Sequence, residues 1–184
     1  MTKQELNAYI NQEVLSGKAI SGLKKWKNLW FEKHLNPGHA AVYLLRKMQY
    51  YASQKGKLSS YRARYYHVRL VKDFGMCVSP NVKIGMGLHF PHPTGIVLGD
   101  ATVIGENCSI YQNVTVGGAR IGDAKKGNQP TVGNNVTLFS GSMVLGAVNV
   151  ADNTVLAANS VLLKNADISG IYVGSPARKV ESKN

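Results

Sequence analysis

Two histidines three residues apart, His89 and His92, are the residues of the sequence best suited to acid–base chemistry. A neutral imidazole, whose unperturbed pKa is about 6.5, can remove a proton from a hydroxyl group that attacks a carbonyl carbon. His92 stands in a Pro-His-Pro segment at a break in the surrounding sequence pattern, so its side chain can project outwards. His89 directly precedes an apolar residue of that pattern, and we interpret it as structural or as contacting a substrate.

The pattern is a period of six residues that begins near residue 75. Small or β-branched residues often follow the apolar position by four places, and Gly, Asn or Asp lie between them. Such a period is typical of a β-helix in which three six-residue units close one triangular coil with the apolar residue inside. The thirteen units predict about four coils. The repeating apolar residues are Val78, Ile84, Phe90, Leu98, Ile104, Ile110, Val116, Val132, Leu138, Val144, Val150, Leu156 and Leu162.

Two insertions interrupt the period. Two extra residues fall within His92–Gly95, and ten fall within the polar segment 117–130. Insertions in a repeat protein leave the packed core as loops and commonly carry binding residues, so we expect the functional site there. Once the first insertion is allowed for, Gln112 lies one coil below His92. Gln112 is therefore expected either to bind substrate or to form a structural side-chain ladder.

Residues 1–74 lack this period and differ in character from residues 75–184. Apolar residues at steps of three and four predict helices over Lys3–Leu15 and Gly38–Gln54. We therefore interpret 1–74 as a helical N-terminal module and 75–184 as a β-helix domain with a protruding loop at 117–130. The fold class is mainly β, with a small N-terminal α-helical cap.

The net charge of +12 is concentrated in the N-terminal module, where residues 17–72 contain thirteen Lys or Arg and a single acid, Glu32. Such a charge favours an anionic glycan, an anionic membrane surface or a phosphorylated cofactor as partner, although a merely solvated basic face is equally compatible with it. No nucleic-acid-binding motif accompanies the charge, so nucleic acid is not an expected partner. The aromatic cluster of Trp26, Trp30 and Phe31 is interpreted as core in preference to an interface.

The two cysteines, Cys77 and Cys108, provide neither a disulfide framework nor a zinc-binding spacing. The sequence shows no signal peptide and no apolar run near 18 residues, the length that spans a membrane. We therefore expect a cytoplasmic protein without a bound metal.

Residues 78–180 resemble the hexapeptide-repeat acyltransferases, and most closely their serine acetyltransferase branch. The resemblance is carried, in order, by Ile84–Leu88, His92–Asp100, Ser109–Gly118 and Gly174–Val180. It implies a left-handed parallel β-helix, a homotrimer with active sites between neighbouring prisms, and acetyl-CoA as the acetyl donor.

The resemblance also implies roles for particular residues. The histidine that matches His92 is the general base of the family, and the segment Gly174–Val180 matches a motif near the CoA nucleotide. Arg178 and Lys179 in this motif, together with Lys164, are candidate ligands of the CoA phosphates because a polyanion requires cations. For Lys164 a solvated surface position is equally consistent with the sequence.

Four positions depart from the serine acetyltransferase pattern. Pro91 and Cys77 stand where the family has acids, and Asn128 and Gln129 stand where it has an arginine and a histidine. A serine acceptor carries two charged groups, and unpaired charges are costly to bury. The amides of Gln112, Asn128 and Gln129 are instead suited to sugar hydroxyls. The sequence therefore favours an O-acetyltransferase that modifies a sugar of a surface polysaccharide or its precursor, with serine O-acetyltransferase of cysteine biosynthesis as the alternative.

Two other functional classes on the same fold agree less well with the sequence. A γ-type carbonic anhydrase requires three zinc-binding histidines, and only His89 and His92 lie in the repeat. An inactive scaffold would have no need of His92 or of the closing Pro-Ala-Arg motif. With the acids of the family absent, a backbone carbonyl is the expected partner of the His92 ring.

Overall fold

The computed structural model describes residues 1–18 and 21–180. The helices within these residues are α1 (Lys3–Glu13), α2 (Gly22–Leu35), α3 (Pro37–Ala52), α4 (Lys57–Phe74) and α5 (Asp123–Lys126). The strands are β1 (Cys77–Val78), β2 (Lys83–Ile84), β3 (Val97–Leu98), β4 (Val103–Ile104), β5 (Ser109–Ile110), β6 (Thr115–Gly117), β7 (Thr131–Val132), β8 (Thr137–Leu138), β9 (Met143–Leu145), β10 (Asn149–Val150), β11 (Val155–Leu156), β12 (Val161–Leu162), β13 (Ile171–Gly174) and β14 (Ala177–Lys179).

The strands form three sheets that wind as one β-helix, here called the prism. The first sheet has the order β1-β3-β6-β9-β12, the second β2-β4-β7-β10 and the third β5-β8-β11-β13-β14. All pairs are parallel except the closing β13–β14 hairpin. The predicted β-helix is therefore confirmed.

The register shows how the insertions are accommodated. In the first sheet Val97 pairs with Thr115, eighteen residues later. Cys77 pairs with Val97, twenty residues later, and Thr115 with Met143, twenty-eight residues later. The excesses of two and ten residues equal the two insertions. Each insertion thus leaves the prism without disturbing the stacking of the coils.

The apolar repeat positions form the core of the prism. All thirteen are buried, with exposed fractions between 0% at Val78 and 7% at Ile84. Burial of each such side chain contributes about 1.5–3 kcal/mol. The small residues four places after the apolar position are buried too: Val82, Val114, Val136, Ser142, Thr154 and Ser160.

The corner between the third and first sheets turns through residues with positive φ. Gly95, Asn113, Gly141 and Asn159 occupy equivalent places in successive coils, with φ between 56° and 68°. Asparagine and glycine tolerate this left-handed conformation. The side-chain oxygen of Asn113 lies where a Cβ at Gly95 would be, and Asn159 meets Gly141 in the same way. The alternation of Asn and Gly therefore fixes the path of the chain at the corner that carries His92.

The helical module contains more helix than predicted. Of the two predicted helices, the first ends earlier, at Glu13, and the second begins at Pro37 and ends at Ala52. The helix α3 starts where the side chain of Asn36 accepts a hydrogen bond from the backbone N–H of His39 (3.2 Å). The helices α2 and α4 were not predicted because few of their apolar residues face inwards; α2 contains no buried residue.

The predicted core position of the aromatic cluster is wrong. Trp26 is 73% exposed, Trp30 54% and Phe31 41%. The inner side of α2 is occupied by Leu29, which packs against the module core. Trp26 borders an open groove with Ile10 of α1 and Tyr43 of α3, and this groove leaves most of its side chain exposed.

A buried ion pair joins the helical module to the first coil of the prism. Arg46 of α3 donates to both carboxylate oxygens of Glu13 (2.6 and 2.8 Å), and also to the carbonyls of Ile84 (3.0 Å) and Gly85 (2.6 Å). One oxygen of Glu13 accepts from the backbone N–H groups of Gly87 and Leu88 (3.0 and 3.1 Å). Arg46 is 1% exposed, so it does not belong to the solvated basic face that its sequence context suggested.

No helix within the described ranges 1–18 and 21–180 is long and apolar enough to cross a membrane.

Candidate active site

The turn of residues 91–95, here called the His92 turn, links the third sheet to the first sheet in the first coil. It follows His89, which forms a parallel β-bridge with Ser109, the first residue of β5. Gly38 at the start of α3 lies against the carbonyl of Phe90, where no side chain would fit. At the other end, the N–H of Gly95 donates to the carbonyl of Phe74 at the end of α4 (3.0 Å). Two helices therefore hold the turn from both sides.

The side chain of His92 is exposed and projects from the prism. Its ring contacts the edge of Tyr111 in the coil below, with centroids 6.1 Å apart at 62°, and Tyr111 packs on Phe139 in the next coil, with centroids 4.9 Å apart. Within the described part of the chain, no hydrogen bond to the His92 ring is present. The expected backbone-carbonyl partner is therefore not found. Pro91 and Cys77 supply no acid in its place.

His89 has a different environment. Partial burial and the nearby imidazole of His39 lower its pKa, so it is neutral over most of the physiological range. His39 itself interacts through Nδ1 with a carboxylate oxygen of Glu32 (2.7 Å). His89 thus lies at the junction of the prism and the helical module, where a structural role is consistent with its contacts.

Gln112 lies below the His92 turn, where the predicted stacking places it. The N–H of the next residue, Asn113, donates to the carbonyl of Thr94 (2.8 Å), which fixes this alignment. The side-chain oxygen of Gln112 is buried and has no hydrogen-bond partner within the described residues. A buried acceptor without a partner is unusual.

The loop 117–130 is organised by one carboxylate. Asp123 accepts hydrogen bonds from the backbone N–H groups of Ala119 (3.0 Å) and Arg120 (2.7 Å) and from the side chain of Asn128 (3.3 Å). The hydrogen bonds from Arg120 and Asn128 are the main reasons that the pKa of Asp123 is lowered. Asn128 therefore has a structural contact within the loop and also lines an adjacent cleft.

Gln129, predicted to contact the substrate, lies against the wall of the prism. The residue is 9% exposed, and its side-chain oxygen accepts a hydrogen bond from Thr102 Oγ1 (3.0 Å). That oxygen occupies the space beside Gly99, where a Cβ would clash with it. Gln129 thus anchors the end of the loop to the wall of the prism and does not face solvent.

An open cleft of about 490 Å³ lies between the loop and the later coils. Arg120, Asp123 and Asn128 of the loop line one side, and the segment Leu145–Val148 and Leu163 line the other. Its volume is within the range of small-molecule sites. Arg120 is a cation that the sequence reasoning missed, because nothing in its local pattern distinguishes it from other loop residues.

The three cations proposed for CoA are all exposed. Lys164 follows Leu163 of the cleft, whereas Arg178 and Lys179 lie on β14. In the β13–β14 hairpin Arg178 pairs with Val173 and Lys179 with Tyr172. Because side chains alternate along a strand, Arg178 and Lys179 point to opposite faces, and the Lys179 side chain lies over Gly170.

The two insertions leave the prism at different corners. The His92 turn lies between the third and first sheets in the first coil, and the loop runs from β6 in the first sheet to β7 in the second. Within one chain these parts are therefore not brought together. Over residues 1–18 and 21–180, no group of three or more His, Cys, Asp or Glu side chains is arranged to hold a metal ion.

Comparison with known proteins gives the same family in sequence and in structure, although no family model matches the chain. A serine acetyltransferase of Helicobacter pylori is 40% identical over 106 residues, which cover 58% of this chain and 61% of the relative. A serine acetyltransferase of Staphylococcus epidermidis is 34% identical over 125 residues, covering 65% of this chain and 58% of the relative. The chain thus spans about three fifths of the length of these relatives.

Solved structures extend the likeness to the whole fold. A serine acetyltransferase in complex with CoA matches 97% of this chain and 71% of its own, with 28% identity and a TM-score of 0.76. The soybean serine acetyltransferase complexed with serine matches 97% and 70%, with 26% identity and a TM-score of 0.79. The chain is similar to serine acetyltransferases over its β-helix in sequence and over nearly its whole length in structure. Its β-helix has the left hand that the resemblance implied, and the helical module is included in the structural match.

Proposed function

We propose that this protein is an acetyl-CoA-dependent O-acetyltransferase in which His92 is the general base. The observation that carries the proposal is the exposed imidazole of His92 on an insertion of a serine acetyltransferase-like prism. The sequence around it, His92–Asp100, is also one of the segments that resemble the family.

The reaction requires that a hydroxyl oxygen attack the thioester carbonyl of acetyl-CoA. His92 takes the hydroxyl proton as the new C–O bond forms, and the C–S bond breaks when the tetrahedral intermediate collapses. The proton on His92 then goes to the departing CoA thiolate. The balance is one acetyl ester and one free thiol. His92 is suited to this exchange because its imidazole is exposed, so an acceptor hydroxyl can reach it.

The donor is expected to bind along the loop and the C-terminal coils. The cleft has an apolar wall that suits the pantetheine arm and the cation Arg120 for a phosphate of CoA, while the carboxylate of Asp123, also in its lining, accepts hydrogen bonds from the loop. Lys164 and Arg178 are exposed on the same end of the prism as candidates for the remaining phosphates. The solved structure of a similar serine acetyltransferase in complex with CoA supports acetyl-CoA as the donor.

The acceptor that the comparisons favour is serine, the alternative to the saccharide predicted from the sequence. The similar proteins are named serine acetyltransferases, and one solved neighbour is complexed with serine. The case for a saccharide is also weakened because Gln129 is buried and Asn128 is engaged with Asp123. A saccharide remains a second candidate because of one observation. Pro91, Asn128 and Gln129 are uncharged, so they cannot pair with the charged groups of serine.

A direct assay separates these acceptors. The protein is incubated with acetyl-CoA and, in turn, serine, nucleotide sugars and oligosaccharides, and the release of free thiol is measured. We expect serine to give kcat/KM at or above about 10⁴ M⁻¹s⁻¹, which lies at the lower end of the usual enzyme range. A saccharide at least about tenfold better than serine would establish the second candidate. Absence of thiol release with every acceptor, in protein that binds CoA, would contradict the proposed activity.

We also propose that the protein is a homotrimer. The His92 turn and the loop leave one prism at different corners, so a site that uses both requires a neighbouring chain. The flat sides of a triangular prism provide the surfaces for such neighbours.

A further inference from the structure

Both tryptophans of the chain lie on α2, and both are exposed. Leu23, Trp26 and Trp30 are spaced by three and four residues, so they share one side of the helix, here called the α2 face. Their exposed fractions are 89%, 73% and 54%. Large apolar side chains are seldom left together in water, and a contiguous set of them commonly marks an interaction site.

The α2 face is bordered by cations. Lys24, Lys25, Lys27 and Lys33 lie on the same helix. The single acid of α2, Glu32, is engaged with His39, so it does not neutralise a lysine. Lys33 lies over the ring of Tyr43 (5.5 Å) and contributes its charge at one edge of the face.

The helix can present this face without rearrangement. It packs on the module through Leu29, and none of its residues is buried. Trp26 lies at the edge of the face that borders the groove toward α1 and α3, and all three apolar side chains of the face remain mostly exposed. Exposed tryptophan and leucine side chains next to lysines are the residue types that enter the interface of a bilayer.

We propose that the α2 face docks on the surface of an anionic lipid bilayer. Tryptophan rings partition to the boundary between headgroups and acyl chains, and lysines beside them are attracted to acidic headgroups. A second copy of the same face is disfavoured because four lysines would meet four lysines. A soluble polyanion would satisfy the charges and leave the tryptophans in water. The inference is independent of the acetyl-transfer proposal.

The tryptophans themselves report on the contact, because the chain has no others. The full chain is mixed with vesicles of phosphatidylglycerol and phosphatidylcholine in equal parts, or of phosphatidylcholine alone, and tryptophan emission is recorded. We expect a blue shift and protection from acrylamide with the anionic vesicles only. Added salt should reverse both effects, since screening weakens the attraction of the lysines. Brominated lipid should quench the emission if the rings enter the bilayer.

Paired variants locate the contact in flotation experiments with the same vesicles. Trp26→Ala with Trp30→Ala, and separately Lys24→Glu with Lys27→Glu, should each reduce the bound fraction by about tenfold or more. The matched charge control is Lys55→Glu with Lys83→Glu, two exposed lysines outside α2, and it should bind nearly as the unaltered chain does. Equal melting temperatures show that all of the variants are folded.

Three results would overturn the proposal. One is unchanged emission in anionic vesicles. Another is an equal loss of binding in the control pair, because the attraction would then depend on net charge alone. The third is a blue shift without lipid. A shift that rises with protein concentration would indicate a second copy as the partner, and a shift produced by dextran sulfate would indicate a soluble polyanion.

Discussion

At the scale of single residues, the proposed acetyl transfer depends on the imidazole of His92, which is exposed and receives no hydrogen bond from the described residues. The His92 ring has the edge of Tyr111 beside it, and Tyr111 is itself packed on Phe139. The described neighbours of the His92 ring are therefore aromatic side chains and include no acid.

Replacing His92 by alanine should lower kcat by about 10²–10⁴, the usual contribution of a general base. The free energy of unfolding should be nearly unchanged, because the side chain is exposed. Thiol release and denaturant unfolding measure the two effects. The matched variant is His89→Ala, which removes an imidazole three residues away. If His89→Ala loses turnover while His92→Ala keeps it, the assignment of the base is wrong.

Removing Arg178 and Lys179 together should weaken CoA binding more than tenfold, an effect of about 1.4 kcal/mol or more by titration calorimetry. Since the two side chains point to opposite faces of the hairpin, we expect most of the loss in one single variant. Arg178→Ala is expected to be that variant, because the Lys179 side chain lies over Gly170. Unchanged affinity in the double variant would exclude both residues from the donor site.

The sequence was sufficient for some of these residues and not for others. His92 and Gln112 could be placed because both follow from counting units of the repeat and the first insertion. The burial of Gln129 was not predicted, because a motif match gives its neighbours along the chain but not the contact with Thr102, which belongs to another coil. Tyr111 was missed as a neighbour of His92, although the same counting places it in the coil below.

At the scale of elements, the ion pair of Glu13 and Arg46 joins α1, α3 and the first coil. Glu13→Ala should lower the free energy of unfolding by about 3–5 kcal/mol, because it leaves a buried guanidinium without its partner. Denaturant unfolding followed by circular dichroism measures this. The double variant Glu13→Leu with Arg46→Met should recover only part of the loss, since the carbonyls of Ile84 and Gly85 lose their donor. Complete recovery would show that these backbone contacts contribute little.

The prism depends on the stacking of its repeat positions. Ile104, 2% exposed in β4, stacks between Ile84 and Val132. Ile104→Ala should cost about 2–5 kcal/mol through lost burial and the cavity that remains. Ile168→Ala is the control, because Ile168 is 64% exposed. A cost at Ile104 no greater than that at Ile168 would mean that the neighbouring coils close the cavity.

The helices of the module were harder to predict than the strands for a physical reason. In a repeat every strand can be predicted, because the buried apolar residue recurs at the same position of each six-residue unit. The helices α1 and α3 have an inward apolar stripe, and both were predicted. The helices α2 and α4 expose most of their apolar residues, so an argument that assumes burial either misses them or, for Trp26 and Trp30, assigns the wrong side.

At the scale of the whole molecule, the His92 turn and the loop are separated within one chain. A site that uses both parts therefore requires two chains. The turn is in the first coil and the loop in the third, at another corner of the prism. In a ring of three chains, the head-to-tail contact places one corner of a prism against a different corner of its neighbour. The assembly can therefore supply a contact that the single chain lacks.

This arrangement predicts complementation between two inactive chains. One chain carries His92→Ala, and the other has residues 118–129 replaced by a short glycine linker. Each alone should form a trimer by light scattering and should show little thiol release. Trimers formed by coexpression of both should regain about one quarter of the unaltered activity, because a random ring places an intact His92 beside an intact neighbouring loop at that frequency. A ring whose sites lie within one chain would regain nothing in this mixture. Monomers at micromolar concentration would contradict the trimer itself, and full activity of the linker chain alone would remove the loop from the site.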